Sequence, residues 1–87
     1  MDDQMLRAEW ELGLEVEAFL GTKVGEYLIG CCKQDRDLAL EQLAVVDPED
    51  QRAIRAIQQQ VQICQMIPAY LHEIVIRSQQ AEEALRQ

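Results

Sequence analysis

Catalysis needs an acid, a base or a nucleophile held within hydrogen-bond reach of its partner, and few residues of this 87-residue chain meet that condition by spacing. The one histidine, His72, is followed directly by Glu73, and adjacent residues on a helix diverge by about 100° instead of sharing a face. No Ser, Cys or Asp stands beside it at helical spacing, so His72 reads as a residue at the edge of the core or in solvent. A di-metal site of the ferritin-like kind would need Glu-x-x-His on facing helices, and that pattern does not occur. Cys31 and Cys32 are adjacent, which is not the Cys-x-x-Cys of a redox pair, and with Cys64 and His72 they form no zinc spacing. Cys31 and Cys64 read as small buried apolar residues, while Cys32 is expected to point away from the packed seam as the one reactive thiol. Gly21, Gly25 and Gly30 lie too far apart to cradle a phosphate; Gly25 or Gly30 reads as a point of close helix approach. The residues thus point to no catalytic group, no cofactor and no metal, and the chain is expected not to be an enzyme.

The charge has more to say. Formal net charge is −8, with 13 acids and 4 bases in residues 1–50 but 3 acids and 4 bases in residues 51–87. Such a surface repels phosphate backbones and anionic headgroups, so direct nucleic-acid or membrane binding is not expected. Glu9, Glu11, Glu15 and Glu17 form the candidate acidic surface. It admits two readings, a solvated helix face or a mimic of phosphates that would inhibit a nucleic-acid-binding protein of the host; the first is ordinary composition and is preferred. No run of 18–20 apolar residues is present, the first residues lack a basic leader pattern, and three cysteines suit a reducing compartment, so a cytoplasmic location is expected.

Aromatic residues make up 5% of the chain against 48% apolar overall, and Pro plus Gly number six, which favours an all-α fold with an aliphatic core. A first amphipathic helix is expected over about residues 3–20, with Leu6, Trp10, Leu14, Ala18 and Phe19 on one side. A second is expected over about 23–46, capped by Thr22, with Val24, Leu28, Cys31, Leu38 and Val45 on its packed face. A third is expected over about 48–85, capped by Asp47 with Pro48 at the first helical position. Along it Ile54, Ile57, Val61, Cys64, Pro68, Leu71 and Val75 recur at alternating spacings of three and four, a seam that wants a helical partner. Pro68 is expected to kink the helix. The short joint at Asp47-Pro48 predicts that helices 2 and 3 form an antiparallel hairpin, which places Cys31 opposite Cys64.

A second line, Ile63, Ile67, Tyr70 and Ile74, widens the apolar face beyond what one neighbour can cover. With Trp10 it forms the candidate interface, and it predicts an oligomer, in the simplest case a twofold homodimer.

The segments Trp10-Glu11-Leu12-Gly13, Ala18-Phe19-Leu20, Val24-Gly25-Glu26-Tyr27-Leu28, Val46-Asp47-Pro48 and Ile54-Arg55-Ala56-Ile57-Gln58 resemble a group of small helical tailed-phage and prophage proteins encoded among packaging and head genes. The likeness covers residues 8–75. It implies a non-enzymatic accessory protein that works by helix-mediated contact in assembly, packaging or host-protein modulation. Its partners would be itself and a phage or host protein, in the host cytoplasm or with the virion. The seam yields a measurable expectation in chemical denaturation: Val61→Ala or Leu71→Ala costs about 2–4 kcal/mol, and Gln59→Ala less than about 0.5 kcal/mol.

Overall fold

The structure is a computed structural model that describes residues 2–87. The protein is all-α, with α1 Asp3–Leu20, α2 Lys23–Val45 and α3 Gln51–Arg86, and no strand among the described residues.

Each helix starts where a side chain takes an otherwise unpaired backbone N–H. The Asp2 carboxylate accepts from the Gln4 N–H at 3.0 Å and caps α1. Thr22 caps α2 as its position predicted: its hydroxyl accepts from the Gly25 N–H at 3.0 Å and donates to the Phe19 carbonyl at 2.6 Å, tying the end of one helix to the start of the next. The start of α3 differs from expectation. Asp47 accepts from the Glu49 N–H at 2.9 Å and its carbonyl from the Asp50 N–H at 3.0 Å, which closes a turn through Pro48. Asp50 is the cap, accepting from the Ala53 N–H at 3.0 Å, and the helix begins at Gln51, not at Pro48. Two aspartates three residues apart both offer a cap, and the second takes the N–H groups of the first full turn. Pro68 lies inside α3, which runs through it without interruption.

The chain divides into two compact units, Met1–Glu26 with Ala69–Gln87, and Tyr27–Pro68. In the first, α1 packs on the C-terminal part of α3. Leu6, Gly13 and Val16 are buried on α1, and Ser78 and Ala81 on α3. The contact is close because its residues are small. A Cβ on Gly13 would lie 1.9 Å from the Ser78 Cβ, and Ser78 Oγ donates to the Trp10 carbonyl at 2.8 Å. That bond uses the second lone pair of a carbonyl already engaged in its own helix, so the buried hydroxyl is satisfied. The expected face of α1 is therefore rotated: Leu14 and Ala18 are exposed, and Gly13 and Val16 take the packed positions. In the same unit a Cβ on Gly25 would meet the Phe19 carbonyl oxygen at 2.0 Å, so the turn from α1 into α2 depends on that glycine.

In the unit Tyr27–Pro68, α3 presents the seam its spacing predicted: Cys64 is buried and Ile54, Ile57, Val61 and Pro68 half-buried. In the other unit Leu71 and Val75 of α3 are half-buried. On α2 the packed line is Ile29, Cys32, Arg36, Ala39 and Leu43, again at alternating three and four. The face expected to pack lies one residue earlier and is exposed, with Leu28 at 48%, Leu38 at 51% and Val45 at 83%, and Val24 at 62%. Cys32, Lys33 and Arg36 share one cavity with Cys64, Gln65 and Pro68, whereas Asp35, Leu38, Ala39 and Gln42 share another with Gln60. Later residues of α2 thus meet earlier residues of α3, the order an antiparallel pair would produce.

Glycine substitutions separate close approach from open surface. Gly13→Ala is expected to destabilise the fold by about 1–3 kcal/mol through overpacking against Ser78. Gly30 has nothing within 4 Å of a built Cβ, so Gly30→Ala should stabilise by about 0.4–1 kcal/mol. Urea denaturation midpoints of the two variants should move in opposite directions.

Candidate interaction surface

Surface apolar residues are scattered on most proteins, but here they lie in rows because the helices carry more apolar positions than their contacts use. Within Tyr27–Pro68, Ile63 and Ile67 are 56% and 55% exposed, with Met66 beside them. Within the other unit, Tyr70 is 54% exposed, while Ile74 and Trp10 are half-buried. Trp10 supplies the carbonyl that Ser78 bonds, and Ile74 lines a shallow cavity with Glu9, Leu12 and Arg77. Of the five residues proposed as an interface from sequence, three are therefore free surface and two also serve the packing of α1.

The row on α2 was missed as surface. Leu28, Leu38 and Val45 read as core because they are large, apolar and heptad-spaced; the adjacent line, Ile29, Cys32, Arg36, Ala39 and Leu43, has the same spacing with Arg36 as its one charged residue, and it is the line that packs.

Among the acids of α1, Glu11, Glu15 and Glu17 are exposed, whereas Glu9 is half-buried and lines two shallow cavities with Arg77. Arg77 itself pairs with Glu73 one helical turn away, at 2.7 Å. The four glutamates are thus not one uniform acidic face.

The thiols are all free. Cys64 is buried, and the residue that shares its cavity is Cys32, not the expected Cys31. The one-residue shift of the α2 seam accounts for this: it places Cys32 on the packed line, while Cys31, also half-buried, lies on the line beside it. Lys33 and Arg36 line the same cavity. His72 is exposed. Among the described residues no group of three or more His, Cys, Asp or Glu side chains is placed to hold a metal ion, and no helix is long and apolar enough to cross a membrane. No family model, curated protein or solved structure matches the chain.

The burial order of the thiols sets their reactivity in the folded protein. Cys31 and Cys32, both half-buried, should be alkylated by a small maleimide at least about 10-fold faster than Cys64, which should react only with the unfolding of its seam. Mass spectrometry of quenched time points checks the order; Cys64 reacting first would mean the α3 seam is open.

Proposed function

We propose that the protein is a non-enzymatic helical module that works by packing against other proteins, a second copy of itself included. One observation carries this reading. Among the described residues only Leu6, Val16, Ala39, Cys64 and Ala81 are buried apolar residues, while fourteen large apolar side chains are exposed. A stable soluble domain of this size needs most of its apolar side chains inside. The isolated chain leaves them for a partner.

In this reading α2 and α3 form an antiparallel hairpin about the Asp47–Asp50 turn, as the shared cavity linings support. The line Ile63, Ile67, Tyr70 and Ile74 along α3 meets another helix. The likeness to small phage packaging and head proteins extends the reading to an accessory role in assembly, packaging or host-protein modulation, in the host cytoplasm or on the virion. Acidic mimicry of DNA is the weaker reading, since Glu9 is drawn into the α1 packing and three remaining glutamates are ordinary for one helix.

Light scattering at micromolar concentration tests self-association. The wild-type chain should exceed its 10.0 kDa monomer mass, and the Ile67→Glu, Ile74→Glu double variant should return to it. A pull-down from infected-cell lysate at low and high salt separates the two readings: capture through apolar contacts survives high salt, whereas capture of a basic partner through acids is lost.

A further inference from the structure

We infer that the unit Tyr27–Pro68 docks a second copy of itself through one face built from the outer lines of both its helices, closing a four-helix bundle. The inference rests on the hairpin reading above and names the surface that self-association uses.

On α2, Leu28, Cys31, Asp35, Leu38, Gln42 and Val45 recur at alternating three and four, one line over from the packed seam. On α3, Ala56, Gln60, Ile63 and Ile67 do the same beside Ile54, Ile57, Val61 and Cys64. At 3.6 residues per turn, each outer line stands about 110° from its own seam, in the same rotational sense on both helices. In two antiparallel helices, equal offsets of the same sense turn toward the same side of the pair. The outer lines therefore converge on one face. Asp35, Leu38 and Gln42 of α2 and Gln60 of α3 line a single groove, which is where the two lines meet. Leu28, Leu38, Val45, Ile63 and Ile67 are the large apolar side chains of this face, and every one is exposed.

Three features select a second copy as the occupant. Heptad spacing along about 26 Å of α2 fits a helix lying alongside. Two such lines side by side need two helices at hairpin spacing, and another copy of this hairpin supplies them and closes by a twofold axis without growing further. Asp35 is the one charged residue on the two lines, so chains of net charge −8 can meet here with a single acid from each copy in the contact. Asp35, Gln42 and Gln60 border one groove, and a polar group at mid-face is of the kind that fixes register in helical bundles.

Sedimentation equilibrium of the full chain, with far-UV circular dichroism as the check on folding, decides the matter. The wild type should sediment at twice its monomer mass. Leu38→Glu and Ile63→Glu should each raise the dissociation constant by about 100-fold or more, since a twofold interface feels each change twice. Leu40→Glu, at an exposed position on the other side of α2, should leave the dimer intact. If a glutamate variant loses helicity, Leu38→Ala serves instead and should weaken the dimer about 10-fold. A dimer that survives Leu28→Glu and Leu38→Glu but dissociates with Ile67→Glu, or one that Leu40→Glu dissociates equally, overturns this face while the wider interaction reading stands. A wild-type monomer at all concentrations overturns the docking itself, and the wider reading then falls only if the salt-resistant lysate capture also fails.

Discussion

Where α1 meets α3, the residues in contact are Gly13, Ser78 and Ala81, and the separation is so small that a single methyl on Gly13 has no room. Helices that meet through small side chains approach closely and gain dispersion contacts along the backbone, but they bury little apolar area per residue. The same trade recurs at Ala39 in the seam between α2 and α3. Large apolar side chains are shared between inner lines, as at Ile54, Ile57 and Val61, and outer ones, as at Leu28, Leu38 and Ile63. A thin core and rows of exposed Leu, Ile and Val occur together in this fold.

The placement of the seams also explains which parts of the fold could be read from sequence. The α3 seam was legible because it holds the three-four alternation from Ile54 to Val75 with an apolar residue at every position, whereas the line beside it is interrupted by Gln60. On α2 two adjacent lines obey the same spacing, Leu28, Cys31, Asp35, Leu38, Gln42 and Val45 beside Ile29, Cys32, Arg36, Ala39 and Leu43, and periodicity alone does not choose between them. The second line packs; it carries four apolar residues of five against four of six, so counting both lines in full favours it. On α1 the preference for large apolar residues favours Leu14 over Gly13. The shift of Cys32 into the cavity beside Cys64 is the direct consequence of the α2 error, because moving a helix face by one residue exchanges the two neighbouring thiols. The cap of α3 was missed for a different reason: Asp47 and Asp50 are equally good acceptors, and only the closed turn through Pro48 decides between them.

The candidate surface was half legible. Ile63, Ile67 and Tyr70 were identified as surplus because α3 carries a second line that a single neighbour cannot cover, an argument from counting that needs no coordinates. The matching row on α2 required knowing which line was already used. Trp10 illustrates the converse: an aromatic at the margin of an amphipathic helix reads as an anchor for a partner, yet its backbone carbonyl is what the structure uses, as acceptor for Ser78.

Charge placement bears on how such a surface can work. Most of the acids lie in the first fifty residues, and those of α2 other than Asp35, namely Glu26, Asp37 and Glu41, fall off its outer apolar line at helical spacing. Long-range repulsion between copies is screened beyond about 8–10 Å at physiological salt, so it would act mainly on the rate of encounter and little on a face that carries one acid, Asp35. The acids of α2 also bear on where carboxylates would meet if two copies came together: a pairing rotated toward Glu26, Asp37 and Glu41 would bring more like charges into contact than one on the line that carries Asp35 alone, so like-charge repulsion would disfavour it.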